Sequence, residues 1–550
     1  MTDRPSDEVD GASAIGRASA ALASGTIVSR ILGFVNAAVL AAAIGYIGGA
    51  ADAFTLATQI PNSIYALIAG GLLSAVLVPQ IVRAGIQADG GAAFINKLVT
   101  LGTVFFVIVA AAATLAAPWL VSLYAQSGTK GFGPDELALA TAFAYWCLPQ
   151  VLFYALYSLL GQVLNARRVF GPFTWAPALN NVIAITGVSI FIALFGASPA
   201  NQDASVWTPT MIAVLGGTAT LGIAAQAFIL LFFWRRAGLT YRPDFRWRAV
   251  GLGSTGRAAA WVFGMILITQ LAAIVETRVA TGASGDASIG ALKYAWLIFM
   301  LPHSIVTVSI ATAYFTRMST HARGGDLASI REDVASSLKS ILLIMVFSAV
   351  GLIVLAYPFS AVFGGGFSEI SALGNVLIAY LVGLIPFTVL FVLQRVFYAL
   401  DDTRTAFFLQ LFQSAVFMAG ILGVAMLPSA WVAVGVAGMM SVSGTLGTVA
   451  AAIVLRRRLG GLGARSILGS TVWYLAAALV AGALGALAVW GLGGFVEGGF
   501  AVATRIGGGV TLAVVGTGMA LIYLGLLALT RNPQLAALAA PVLGRIRRRG

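Results

Sequence analysis

The chain has 550 residues, 59% of them hydrophobic and 9% charged, with a formal net charge of +13. A soluble domain carries about 25% charged residues. A mean hydropathy of +0.95 therefore excludes a cytosolic globular enzyme, a disordered chain and a secreted disulfide scaffold. Apolar runs of about 20 residues recur down the chain, which predicts an all-α polytopic membrane protein; a β-barrel would show short alternating segments.

In chain order, residues 1–19 are polar and read as a cytoplasmic N-terminal tail with no cleavable signal peptide. About fourteen transmembrane helices follow, at 20–43, 52–82, 97–124, 137–164, 173–195, 209–234, 257–279, 288–316, 337–358, 372–398, 405–427, 431–455, 467–491 and 506–529. A basic cytoplasmic tail, 531–550, closes the chain with Arg545, Arg547, Arg548 and Arg549 and suits the anionic inner leaflet. Cys147, the single cysteine, lies in an apolar run and has no partner for an intramolecular disulfide.

The basic residues test this layout. With the N-terminus inside, 26 of the 32 Lys and Arg fall on inner segments. Only Lys130 and Arg505 fall outside, and Arg30, Arg278, Lys293 and Arg395 lie within spans. That asymmetry obeys the positive-inside rule, puts both termini in the cytoplasm and accounts for the charge without a nucleic-acid partner.

The spans repeat. Ile60-Pro61-Asn62-Ser63-Ile64 in span two resembles Leu301-Pro302-His303-Ser304-Ile305 in span eight, each proline nine residues after a charge, Asp52 or Lys293. Span four carries Leu148-Pro149 and is followed by Arg167; span ten carries Ile385-Pro386 and is followed by Arg404, both pairs 237 positions apart. Spans six and twelve end alike at Arg235-Arg236 and Arg456-Arg457-Arg458. Span n pairs with span n+6, so two parallel-repeat six-helix halves are expected, 20–240 and 255–458, with two extra helices over 467–530. Parallel repeats of this kind place a substrate site between halves that rock in alternation. Pro61 and Pro302 are expected to bend their spans near mid-depth.

Several stretches carry a family resemblance. Ser29-Arg30-Ile31-Leu32-Gly33-Phe34, Ala51-Asp52-Ala53-Phe54, Pro177-Ala178-Leu179-Asn180-Asn181 and Tyr398-Ala399-Leu400-Asp401-Asp402-Thr403-Arg404 are similar to segments of the MurJ/MviN family of lipid II flippases. The resemblance covers residues 15–460 in order. It implies the MATE-like fold of the multidrug/oligosaccharidyl-lipid/polysaccharide exporters, with a polyprenyl-tail groove at spans thirteen and fourteen. It also implies a bacterial cytoplasmic-membrane flippase that serves cell-wall synthesis. The substrate would be an undecaprenyl-diphosphate-linked precursor, and membrane lipids and cell-wall synthesis proteins would be the partners. The chain departs from the family at Asn36, at Ala69-Gly70-Gly71 and at Trp296-Leu297, where the family carries charged residues.

The few charges inside the membrane are the candidate site, because a buried charge costs about 2.5–3.5 kcal/mol even on a mild scale. Arg30 lies about 15 Å into span one. A structural ion pair is one reading; a diphosphate contact is preferred, since guanidinium pairs with phosphate bidentately. Lys293, Asn62 and His303 are further candidates for the cavity, with Lys293 one helical turn before Leu297. His303 suits either proton coupling or a carbonyl freed by Pro302. Asp52 and Lys293, opposite in sign at equivalent positions, suggest an outer gate, or else two ordinary interfacial charges. Glu276 is a candidate for a coupling cation or proton, and Arg278 is grouped with it, although i,i+2 neighbours do not face each other on a helix. Arg395 reads as a snorkelling side chain.

No catalytic triad, nucleotide loop or metal-ligand spacing is found, so a transporter without cofactor is expected, driven by membrane potential or a monovalent ion. Two alternatives remain from the residues alone. One is a cation-coupled exporter of drugs or of other polyprenyl-linked saccharides, against which the four basic and two acidic in-span residues argue. The other is a non-transporting cell-wall scaffold.

Overall fold

The computed structural model describes residues 6–68, 91–128, 130–167, 169, 171–245 and 256–536. The expected second part of span two, with Ala69-Gly70-Gly71, and the arginines of the basic tail lie outside the described residues.

Among the described residues the regular structure is helical: α1 (Ser6–Ile44), α2 (Gly49–Ile68), α3 (Ala92–Leu115), α4 (Ala117–Tyr124), α5 (Pro134–Cys147), α6 (Gln150–Ala166), α7 (Gly171–Phe195), α8 (Pro209–Phe232), α9 (Gly256–Thr281), α10 (Ile289–Pro302), α11 (Val308–Arg323), α12 (Leu327–Val354), α13 (Ala356–Ala361), α14 (Phe367–Val382), α15 (Leu384–Ala399), α16 (Thr403–Val424), α17 (Ser429–Leu459), α18 (Ala464–Gly491), α19 (Phe500–Ala503) and α20 (Arg505–Leu529). Bridge pairs occur only in isolation among these residues. Twelve helices are long and apolar enough to cross a membrane, and thirteen spans result if α14 and α15, bent by 43° at their junction, count as one. Each lies on an expected span. α1 begins at Ser6, within the expected polar tail.

The helices start where the chemistry provides a cap. Thr208, Asp326, Asp402 and Thr504 each accept a backbone N–H of the first turn, and α5 and α8 have proline in the first turn, where no N–H is required.

The chain divides into two compact units. Unit 1 comprises residues 1–45 and 49–274; unit 2 comprises 46–48 and 275–550. The division falls within α9, downstream of the expected junction at 241–254.

In unit 1, α7 is the central helix, packed against α1 and α8. Close approach depends on small residues. A side chain at Gly187 would strike Thr218, and one at Gly222 would strike Asn180. One end of the unit closes over Ile95, Leu98, Leu159, Val163, Leu230 and Trp234. The strand-like segment after α8 is tied to α3: Tyr241 bonds Thr100, Arg242 N donates to Asn96 Oδ1, and Asp244 N donates to Thr100 Oγ1.

In unit 2, α12 is the central helix and α18 and α20 dock on its flank. Tyr523 Oη donates to Leu343 O at 2.6 Å, and Gly482 and Gly485 let α18 approach Val350 and Met519. The buried Asp333 of α12 pairs with Arg317 at 2.8 Å and faces His321 at 3.6 Å, both on α11.

The prolines act differently from one another. Pro61 is buried inside a helix assigned without a break from Gly49 to Ile68. Pro302 ends α10 and leads into a π-turn over His303–Thr307. Pro149 separates α5 from α6, and Gly383 separates α14 from α15, with Pro386 in the first turn of α15. Proline is tolerated there because first-turn N–H groups have no helical acceptor.

Candidate functional site

In unit 1 the face of α1 next to Arg30 is fixed by packing. Gly25, Ser29 and Gly33 recur every four residues along α1, which brings them onto one stripe. Gly25 lies against Trp175, and Asn181 Nδ2 donates to Ser29 O at 2.9 Å. Asn180 meets Gly222 on α8. The two asparagines quoted above therefore clamp α7 to both neighbours. Arg30, one residue round the helix from Ser29, is exposed. An exposed guanidinium on a locked helix offers a bidentate anion contact.

Asn36, two turns along the same helix, has a buried Oδ1 with no hydrogen-bond partner among the described residues. Asn62 is exposed on α2, between buried Pro61 and Ser63. Asp52 is wholly buried near the start of α2, two residues before Phe54, which packs edge-on against Phe143 of α5 at 5.1 Å. A buried carboxyl group is costly unless it is paired, and Asp52 takes part in an interaction within the fold.

Unit 2 holds the remaining candidates. Lys293 is exposed at the start of α10, and its neighbour Tyr294 is buried against Tyr46 and Phe363, at 5.7 and 5.1 Å. Tyr46 Oη donates to Gly364 O at 2.9 Å. Burial, with the Glu369 carboxylate nearby, pushes the Tyr46 phenol above its ordinary range, so it stays a neutral donor. Glu276 lies within electrostatic reach of Tyr380, while Arg278 is exposed. Arg278 takes part in an interaction within the fold.

His303 is 2% exposed. Its Nδ1 lies 3.3 Å from Thr388 Oγ1, and its ring meets Phe387 and Phe391 edge-on at 4.7 and 5.1 Å. The partner is a side chain on α15 rather than the carbonyl freed by Pro302. Trp296 joins this aromatic column: it stacks on Phe299 at 5.0 Å and meets Tyr380 and Phe387 edge-on. The column continues to Arg395, whose guanidinium lies 4.7 Å over Phe391 and 5.6 Å from Phe315. Arg395 is thus held by cation–π contacts inside unit 2.

Beside Pro302 a cavity of about 230 Å³ lies between α10, α12 and α20, lined by Leu301, Pro302, Phe347, Leu352, Gly516 and Met519. Its walls are apolar and suit an alkyl or prenyl chain. Among the described residues no cluster of His, Cys, Asp or Glu is arranged to hold a metal ion.

Reasoning from the sequence missed the aromatic column and the Tyr46 anchor. The column had a signal in the spacing Trp296, Phe299, His303, which is one helical stripe. The Tyr46 contact had none, because its acceptor is 318 residues away.

Comparison with known proteins agrees with this architecture. A family model described as lipid II flippase MurJ matches residues 40–508. The probable lipid II flippase MurJ of Haemophilus influenzae is 27% identical over 398 residues, covering 69% of this chain and 75% of that protein. Its counterpart in Rhizobium meliloti is 27% identical over 402 residues, covering 70% and 71%. Among solved structures, a lipid II flippase MurJ in an inward closed conformation superposes with a TM-score of 0.69 at 17% identity, covering 91% of this chain and 97% of that one. A MATE transporter in complex with MaL6 shares the fold at a TM-score of 0.54 and 16% identity, covering 81% and 96%. The chain belongs to the lipid II flippase MurJ family.

Proposed function

We propose that the protein carries lipid II from the inner to the outer leaflet of the bacterial cytoplasmic membrane by alternating access. The family match across residues 40–508 carries this reading. Fourteen spans, with both termini in the cytoplasm, are supported by the 26 basic residues on inner segments.

Arg30 is assigned to the diphosphate, supported by its exposure on a helix fixed through Ser29 and Gly33. Asn62 and Lys293, both exposed, are assigned to the head group. His303, held by Thr388, is assigned to maintaining the bend after Pro302. Asp52 and Lys293 are assigned to outer closure on their equivalent places in the repeat, with Glu276 and Arg278 as the charged groups available for coupling. The apolar cavity beside Pro302 and α20 would take part of the lipid tail. Moving one charge through 100 mV supplies about 2.3 kcal/mol, so the membrane potential is an adequate drive without nucleotide.

The test is depletion of the protein in a cell without a second flippase, followed by labelling of precursor in the outer leaflet. Outer-leaflet lipid II should fall while the inner pool rises. An unchanged outer pool refutes the assignment. For the gate, the double variant Asp52→Lys/Lys293→Asp should transport better than either single variant; if it does not, the two residues are not a pair.

A further inference from the structure

The loop joining α18 to α20 differs from an ordinary surface loop in both its surface and its backbone. Trp490, Phe495, Val496, Phe500 and Ile506 are 71%, 46%, 58%, 54% and 79% exposed. Glu497 and Arg505 are the two charges among residues 490–506. These side chains continue the outward apolar rows of the flanking spans, from Leu484 and Leu487 on α18 to Val510 and Val514 on α20.

Much of the loop backbone is paired within the loop, while no backbone–backbone bond is made by the amides of Phe495, Glu497, Gly498 and Phe500. Gly494 N donates to Val489 O, Val496 N to Gly493 O, Gly499 N to Val496 O, and Ala501 N to Leu492 O. Val502 and Ala503 donate to Gly499 O. Gly493 and Gly499 touch backbone to backbone, where any side chain on Gly499 would strike the Gly493 carbonyl. In water such economy is unnecessary, because solvent satisfies loop amides. Toward the lipid each such bond counts, because an unpaired amide at membrane depth costs several kcal/mol.

The outer loop of unit 1 provides the contrast. Residues 196–208 expose Ser198, Asp203 and Ser205, and use Ser198 and Asp203 as polar caps. That loop is built for water.

From these observations we propose that the 491–504 loop is a wedge set into the outer leaflet, its apolar side chains below the lipid phosphates and its backbone compacted by bonds within the loop. The occupant of this surface is lipid, because the exposed residues are continuous with the lipid-facing rows of α18 and α20. The proposal rests on the membrane orientation given under Proposed function.

The test uses the full chain with Cys147→Ala, reconstituted in phosphatidylglycerol/phosphatidylethanolamine vesicles. A nitroxide is placed at Val496→Cys, with Phe500→Cys as a second site and Ala197→Cys as the reference in the polar loop. Collision rates with oxygen and with a water-soluble nickel complex give depth. The labels at 496 and 500 should lie about 5–10 Å below the phosphates, and the label at 197 above them. Labels at 496 and 500 that are as open to nickel as position 197 overturn the wedge and leave the tip as a surface for a protein partner. An impermeant reductant reads sidedness separately. Deep labels on the outer side support the proposal; deep labels on the inner side overturn the orientation and the outer-leaflet assignment with it.

Discussion

In unit 1, span four breaks at Pro149, and Thr220 of α8 donates its hydroxyl to Trp146 O at 2.7 Å. In unit 2, span ten breaks at Gly383, and Ser441 of α17 donates to Ala379 O at 2.6 Å, with Thr448 donating to Pro386 O at 2.8 Å. The donors come from span six and from span twelve, so the repeat preserves the bond as well as the helix. A carbonyl freed inside lipid needs a donor from a neighbouring helix, and a hydroxyl on the sixth span of each half supplies it. What differs is the sealing. Unit 1 leaves Gln150 Oε1 buried without a hydrogen-bond partner among the described residues, whereas unit 2 uses two hydroxyls. The in-span arginines differ too: Arg30 of unit 1 is exposed, while Arg395 of unit 2 lies against two phenyl rings.

The largest effect separates the two arginines. Arg30→Ala should lower lipid II flipping at least about tenfold, the loss of a bidentate charge-assisted contact, with unfolding unchanged. Arg395→Ala should retain much of the transport but destabilise unit 2 by about 1–2 kcal/mol in a detergent unfolding titration. Equal transport losses would mean that exposure does not separate their roles.

Next come the breaks. Ser441→Val removes the donor at Ala379 O and crowds Gly383, which already lies against Ser441. Its expected cost is about 2–4 kcal/mol. Thr220→Val conserves shape and strands Trp146 O and Gln150 Nε2, at about 1–2 kcal/mol. The same unfolding titration reads both, and a Thr220→Val cost above that of Ser441→Val would reverse the order of the two seals.

The smallest effect concerns the ends of the broken spans. Asp402 caps α16 and pairs with Arg458, whereas the equivalent position 237 residues earlier is Asn165. Partial burial raises the Asp402 carboxyl, but the bonds from Thr405 and Arg458 outweigh it and leave it below its usual range. A depressed folded value means that the stabilisation is present above the unfolded value near pH 3.9 and fades as pH falls through the lower folded one. Asp402→Asn should remove that acid-side slope, at less than about 1 kcal/mol because Arg458 is half exposed. An unchanged slope would assign the acid response to other carboxylates.

Much of this was legible in the sequence because lipid imposes regular demands. Apolar length marked the spans, whereas the breaks at Pro149 and Gly383 were not expected: Pro149 and Pro386 stood out in the sequence only as matching positions of the repeat. Pro61 and Pro302 show where such reading stops: one residue type at matched positions stays in a continuous helix in one unit and opens a π-turn in the other. The surroundings decide, and Thr388 and Phe387, which receive His303, lie on a helix 85 residues further on. Arg30 was found as a charge at depth, but its exposure depends on which stripe of α1 meets α7, and that is set by Asn181. Asp333 escaped notice because it looks like any polar residue near an inner helix end, whereas the fold buries it against Arg317 and His321.

The Tyr46 anchor has a consequence for biosynthesis. The turn at 46–48 follows the first span, yet Tyr294, Phe363 and the Gly364 carbonyl belong to segments made far later. At 5–20 residues per second, the 318 residues to Gly364 take about 15–65 s to synthesise. During that interval the phenol has none of these partners, so the first hairpin enters the membrane with its tip unfinished. The nascent chain then completes that corner only after more than half of the protein has been inserted, which makes this turn a late reporter of correct assembly.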